Sequence, residues 1–224
     1  MDKLNKLLEN INRLSKFKFE ISEESVRMLM NEICTVFTIV CADYGYDRRQ
    51  ILRVTTKMRD AGRRSPPWKP TSSRVPGRPQ DGNDGNRIKR WLMLNDHKFY
   101  ANEIDATLVE IKYYLQLLSM NDAPILPINT IQESFDWLIE HKVVPNSYLD
   151  PIQLVPISLK DVMEDARTIQ SGHLHPLDRG GKHIPNNAFL MLHRSNQLQG
   201  NLTVDELVAL MNEIVKRHAE KKGH

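Results

Sequence analysis

The chain has 224 residues, of which 40% are apolar and 26% are charged, and its formal net charge is +3. This length and composition are typical of a soluble globular protein with one large or two small domains. No uninterrupted apolar run approaches the roughly 18 residues of a membrane span, and no basic-plus-apolar leader is recognisable, so we expect neither a transmembrane segment nor a signal peptide.

The first half of the chain is predicted to be helical. Residues 2–14 carry leucine and isoleucine at helical spacing. Ser22, followed by two glutamates, is expected to cap a long helix that runs toward Asp43. Asp47 is expected to cap a third helix that ends near Met58. These patterns predict a mainly helical N-terminal region.

The two cysteines, Cys34 and Cys41, lie seven residues apart. On a helix this spacing places them on one face but two turns apart, which is too far for a disulfide. The apolar stretch that contains them, residues 33–42, is interrupted by two threonines and is predicted to be a buried helix. Reduced buried thiols favour a cytoplasmic location.

Positive charge is concentrated between Arg48 and Arg90. This window holds thirteen Lys and Arg against three Asp, a surplus of ten positive charges, so the rest of the chain carries a surplus of seven negative charges. Such a window predicts a polyanionic partner, and its many arginines favour bidentate contacts with phosphate or guanine. A solvated loop is the competing interpretation for a charge run by itself.

Proline and glycine dominate residues 62–86, which predicts a loop or arm within a basic segment of about residues 62–90. Helical patterning returns at residues 87–94, 102–118 and 130–141. A short helix is predicted at residues 158–164. Near the end of the chain, Thr203 and Glu206 form a predicted capping box that opens a helix to about Lys216.

The stretch from Ser171 to Asn201 carries the most chemistry. Residues 168–173 and 188–192 are predicted to be strands, the loop between them contains two adjacent glycines, and a helix is predicted from Arg194. A β-turn-β-helix unit of this kind brings the end of the first strand close to the first turn of the helix. His173, Asn187 and Asn196 are therefore expected to converge.

The spacing of these residues resembles that of the HNH nucleases of the ββα-metal superfamily. The match covers about 30 of the 224 residues, and its positions are His173, Pro176, Gly180, Gly181, Asn187 and Asn196. The resemblance implies an α+β fold, in which a mostly helical DNA-binding region, residues 1–145, precedes a C-terminal HNH nuclease domain, residues 146–224.

By resemblance, His173 is the general base, Asn187 holds the loop and orients the imidazole, and Asn196 offers its oxygen to a divalent metal, expected to be Mg²⁺ with Mn²⁺ as the alternative. Gly172 stands where many family members have an aspartate ligand. We therefore expect His175 as the second ligand, because it points to the same side if the strand continues. The alternative ligands are Asp178 and Asp165.

Many family members also hold this unit together with zinc bound by two cysteine pairs. The positions of the second pair are here Leu192 and Ser195, so no structural zinc is expected. Packing of Phe189, Leu190 and Leu192 is expected to replace it.

The resemblance favours a metal-dependent endonuclease that cuts double-stranded DNA, acting as a type II restriction enzyme and as a homodimer with two active sites. The alternatives are a phage or mobile-element nicking or homing nuclease, a catalytically degenerate DNA-binding protein, and a scaffold that binds no nucleic acid. The predicted DNA contacts are Arg48, Arg49, Arg53, Arg63, Arg64, Arg74, Arg78, Arg87, Arg90, Arg179, Lys182 and Arg194.

Overall fold

The computed structural model describes residues 2–15, 21–65, 87–126 and 139–222. These ranges form a mostly helical α+β structure with a small two-stranded antiparallel sheet, in agreement with the predicted fold class. The elements are α1 (Asp2–Ser15), α2 (Glu23–Asp43), α3 (Arg48–Arg63), α4 (Glu103–Ser119), α5 (Leu159–Glu164), β1 (Ile169–His173), β2 (Ala188–Leu192), α6 (His193–Gln199) and α7 (Val204–Lys222).

Side chains at the predicted helix starts make the expected caps. The Ser22 hydroxyl accepts a hydrogen bond from the backbone N–H of Ser25, and the Asp47 carboxylate accepts one from Arg49. Helix α3 continues past Met58 to Arg63, because its buried face extends through Gly62. The capping box of Thr203 and Glu206 is also confirmed, and the helix it opens runs to Lys222.

Helix α2 is the one helix of the described ranges that is long and apolar enough, by length and composition, to cross a membrane. Here its apolar side packs against α1 and α4, so it is a core helix, as predicted for residues 33–42. Cys41 is fully buried, and burial raises the pKa of its thiol to about 12. Cys34 is half-buried, and both cysteines are free.

Helix α4 lies at the centre of the molecule and is buried on all sides from Ala106 to Ser119. This burial on all sides arises because α2, α3 and β2 pack around the helix. Its buried polar groups bond to the C-terminal unit. The Gln116 amide oxygen accepts from the Leu190 backbone N–H at 2.9 Å, and Lys112 donates to the Pro185 carbonyl.

One predicted helix is shorter in the structure, and two other predicted segments lie mostly outside the described residues. Residues 87–94 do not form a full helix but only a 3₁₀ turn, Arg90–Leu92, because the Arg90 side chain turns inward to bond to backbone carbonyls. Most of the predicted helix at residues 130–141 lies outside the described residues. So does most of the predicted arm, residues 66–86.

The C-terminal elements form the β-turn-β-helix arrangement that the spacing predicted. Strand β1 pairs antiparallel with β2, with Gly172 opposite Phe189 and His173 opposite Ala188, and α6 packs against both strands. Leu190 joins the same buried cluster as α2 and α4. Apolar residues from both sides of residue 145 thus share one core, and the domain boundary placed there stays a prediction.

Candidate active site

An open groove with a volume of about 1140 Å³ runs along β1. Its walls come from α3, the turn before β1, the loop after β1, and the second half of α6 with the residues that follow it. Four of the predicted DNA-contact residues line the groove: Arg53, Arg64, Arg87 and Arg90. His173 and Asn196 line it too. The structure therefore places the predicted base and the predicted amide ligand in one cavity, whose lining also includes the carboxylates of Asp60, Glu164, Asp165 and Asp178.

His173, on the inner face of β1, is positioned by a hydrogen bond to a second histidine. The Nε2 atom of His173 lies 2.9 Å from Nδ1 of His183, and Nε2 of His183 lies 2.7 Å from the Gly62 carbonyl oxygen. A carbonyl only accepts, so His183 must donate from Nε2 and accept at Nδ1. His173 then donates from Nε2. Its Nδ1 keeps the lone pair and has no hydrogen-bond partner among the described residues.

Gly62, at the end of α3, accepts the last hydrogen bond in the series from His173 through His183. A side chain there would place Cβ 2.6 Å from Cβ of Glu110, so only glycine lets α3 approach α4 this closely. Its carbonyl oxygen accepts a second hydrogen bond from Nε of Arg90 at 3.1 Å. Both lone pairs of the Gly62 carbonyl oxygen are thus occupied. Because this oxygen only accepts, the proton of His183 is on Nε2 and its tautomer is fixed.

Burial keeps both imidazoles neutral. Desolvation, aided by the positive charge of Arg90, lowers the pKa of His173 to about 3. The same causes, in the same order, hold the pKa of His183 well below its usual range. The His173 imidazole is thus neutral at physiological pH, with its proton on Nε2 and a lone pair on Nδ1.

On the outer face of β1, a series of hydrogen-bonded polar side chains positions Asn196. The Asn196 amide donates to Oε1 of Gln170 at 2.7 Å, and Nε2 of Gln170 lies 2.6 Å from Nδ1 of His193. In this arrangement the Asn196 amide nitrogen faces Gln170 and its oxygen is turned away from that bond. That oxygen lies 3.1 Å from the position that a Cβ on Gly172 would occupy.

Gly172 itself is covered by the end of a methionine side chain. Cε and Sδ of Met191 lie 2.3 and 2.5 Å from the position of a Cβ on Gly172. An aspartate at this position would therefore require Met191 to move. This position therefore carries a glycine covered by a thioether and no acidic side chain.

Asn187 braces the loop between the strands. It is buried, its oxygen accepts from the backbone N–H of His175 at 2.8 Å, and its amide donates to the carbonyls of His175 and Lys182 at 2.9 and 2.8 Å. Asn187 therefore ties the backbone at His175 to the backbone at Lys182.

His175 is not brought to the groove, because β1 ends at His173 and the chain turns away. Its side chain is exposed, with Nε2 2.9 Å from the Arg179 carbonyl oxygen. The assumption that the strand continues to His175 was wrong, so its assignment as a ligand beside Asn196 loses its structural basis. The alternative ligands, Asp178 and Asp165, do line the groove but pair with Lys98 and Arg167.

The predicted DNA-contact residues fall into groups with different surroundings. Arg90 is 3% exposed and Arg63 pairs with buried Glu110, so these two side chains belong to the core rather than to a free basic surface. Arg53 donates to the carbonyls of Met163 and Glu164. Four side chains are exposed: Arg48, Arg49, Lys182 and Arg194. Arg64 and Arg87 pair with Asp60, and Arg179 pairs with Glu206. Arg74 and Arg78 lie outside the described residues.

Three residues of the site were not assigned to it from the sequence. His183 was given no catalytic role, although its position ten residues after His173 in the same loop was a usable signal. Gln170, two residues before Gly172 on β1, shares its side of the strand, and alternation alone could have identified it. Gly62 is distant in sequence, and no local pattern marks it.

Comparisons with known proteins leave the family open. No protein-family model and no curated protein sequence matches the chain. A solved structure described as the crystal structure of a type II restriction endonuclease is similar in fold, with a TM-score of 0.46 and 20% sequence identity over 55% of each chain. The matched region thus spans about half the length of that protein, and a likeness of this size decides neither family nor activity.

A divalent metal can be tested against the donors present. Within the described ranges, no three His, Cys, Asp or Glu side chains come together as a metal site. The Asn196 oxygen, held with its amide turned away, is one hard donor of the type that Mg²⁺ accepts. Because Mg²⁺ keeps several waters and takes substrate phosphates as ligands, one protein oxygen fits a cation that is completed by DNA.

Proposed function

We propose that this protein is an endonuclease of the HNH type that hydrolyses phosphodiester bonds of double-stranded DNA with the help of a divalent metal. The observation that carries the proposal is the neutral imidazole of His173, whose Nδ1 is left free by the His183–Gly62 chain, in the same groove as Asn196. We further propose a type II restriction enzyme as its role, acting as a homodimer.

His173 supplies the proton acceptor for the reaction. As a water oxygen attacks phosphorus, a water proton passes to Nδ1 of His173 while the bond from phosphorus to the 3′-oxygen breaks, and the leaving oxygen takes a proton from solvent. Transfer of positive charge to the imidazole is favoured by the approaching phosphate, whose negative charge raises the pKa of a neighbouring base. His183 keeps the acceptor nitrogen free throughout.

Other groups of the groove hold the substrate. Asn196 would bind the metal, which when present neutralises negative charge on the phosphate and the leaving oxygen. Arg64 and Arg87 lie on the groove wall, where their partner Asp60 also lies, and a DNA phosphate would compete with that carboxylate for them. Exposed Lys182 and Arg194 add positive charge on the C-terminal unit.

The decisive experiment compares two histidines in one cleavage assay. Purified protein is incubated with plasmid DNA and Mg²⁺, with and without EDTA. We expect EDTA to stop cleavage, and His173→Ala to reduce its rate by about 10²- to 10⁴-fold, the usual contribution of a general base, while gel-shift affinity is kept. His175→Ala, on the exposed turn nearby, is the control and is expected to cut at nearly the parental rate.

A catalytically degenerate DNA-binding protein is the second candidate, and the covering of Gly172 by Met191 favours it. It predicts salt-sensitive DNA binding without cleavage under Mg²⁺, Mn²⁺, Ni²⁺ or Zn²⁺. A chain without salt-sensitive DNA affinity would contradict both candidates and leave the scaffold interpretation. Discrete fragments from many unrelated DNAs would support a restriction role, whereas nicks or a single rare site would support a nicking or homing nuclease.

A further inference from the structure

Helix α7 extends away from the rest of the described structure. Its first turn is anchored by buried Leu207 and by the pair between Arg179 and Glu206. From Val208 to Lys221 every residue is exposed. An isolated helix of this length is only marginally stable in water, so a partner is needed to stabilise it.

The exposed part of α7 carries an apolar stripe. Val208, Met211 and Val215 follow one another at spacings of three and four residues, and Ile214 lies beside them. Their exposed fractions are 50%, 38%, 68% and 43%. A stripe with this period is the pattern of a helix that buries one side against another helix.

The charges of α7 indicate what the other helix is. The half before Ile214 carries Asp205, Glu206 and Glu213 and no basic residue, and the half after it carries Lys216, Arg217, Lys221 and Lys222 against one glutamate. A second copy of α7 running antiparallel places the acidic half of each helix beside the basic half of the other. A parallel pair would place like charges together.

We propose that α7 is the dimerisation helix of this protein and pairs antiparallel with α7 of a second copy about a two-fold axis at Met211. The axis is at the midpoint of the stripe, so residue 208 of one copy faces residue 214 of the other. The arrangement is isologous, as a closed dimer requires. It does not depend on the proposed nuclease activity.

Disulfide trapping tests the direction of pairing. Under mild oxidation, Met211→Cys should form a covalent dimer, because this position faces itself across the axis. Val208→Cys and Ile214→Cys should not cross-link alone, but a mixture of the two proteins should. Ala209→Cys, on the opposite side of α7, is the control for collisions, and the parent reports on the native cysteines. Self-linking of Val208→Cys and Val215→Cys would instead indicate a parallel pair and overturn the proposal.

A charge on the stripe tests the interface without any cross-link. Sedimentation velocity over a concentration series should show a dimer for the parent. Ile214→Asp should raise its dissociation constant by about 100-fold, because two carboxylates would be buried per dimer. Ala209→Asp adds the same charge on the other side of the helix and should leave the dimer intact. A parent that is monomeric at every concentration, or equal effects of the two variants, would refute the proposal whether or not the protein cuts DNA.

Discussion

The two faces of β1 serve the candidate site in different ways. On the inner face, His173 is held by His183, which is itself held by the carbonyl of Gly62 deep between α3 and α4. On the outer face, Asn196 is held by Gln170 near the surface, and the neighbouring position is a glycine. The proposed proton acceptor is thus held by contacts that reach the interior of the protein, and the proposed metal ligand by a few residues of the C-terminal unit.

This difference shows where each kind of chemistry needs rigidity. A general base must present the correct nitrogen in its neutral form, and a buried chain of hydrogen bonds imposes both requirements. A hard cation that shares its ligands with water and DNA tolerates a more open surrounding. Variants that act on one face at a time test this division.

The largest effect is expected on the inner face. His183→Leu removes the acceptor for Nε2–H of His173, so the proton is free to move to the other nitrogen and kcat should fall by about 10- to 100-fold. His183→Gln should retain most activity, since its amide can accept from His173 and donate to Gly62. Single-turnover cleavage and urea unfolding are measured for both. If the two variants lose activity only in proportion to lost stability, the positioning role of His183 is excluded.

A smaller effect is expected on the outer face. Gln170→Leu removes the acceptor that holds the Asn196 amide, and the Mg²⁺ concentration for half-maximal cleavage should rise by about 10-fold with the rate at saturating metal nearly kept. Gln170→Glu retains an acceptor oxygen and serves as the matched variant. A Gln170→Leu protein with unchanged Mg²⁺ dependence would show that Asn196 does not bind the metal.

The smallest effect is on stability and concerns pH. The pKa of His173 is lowered to about 3 in the folded protein, against about 6.5 when unfolded, so the unfolded chain binds the extra proton between these values. The free energy of unfolding should therefore fall as pH decreases from about 6.5 toward 4. His183→Gln should reduce this slope, and His218→Gln, on exposed α7, should leave it unchanged. Equal slopes for all three proteins would contradict the buried histidine pair.

That His173 and Asn196 line one groove was predictable because both belong to one local β-turn-β-helix unit. The spacing of strand, turn, strand and helix determines which residues meet in a β-turn-β-helix unit, and the structure has these elements at the expected positions. His175 was misplaced because alternation holds only while a strand lasts, and β1 ends at His173, where the predicted strand also ended. Arg63 and Arg90 were interpreted as surface residues because burial of an arginine depends on distant partners.

The sequence by itself determined most helices, their caps and the order of the candidate-site residues along the β-turn-β-helix unit. Each of these depends on residues within a few turns of one another. Only the tertiary structure decided which nitrogen of His173 is free, which arginines belong to the core and which side of α7 lacks a partner among the described residues. These properties depend on contacts such as Gly62 with His183, which lie 121 positions apart in the chain, and a local pattern carries no information about them.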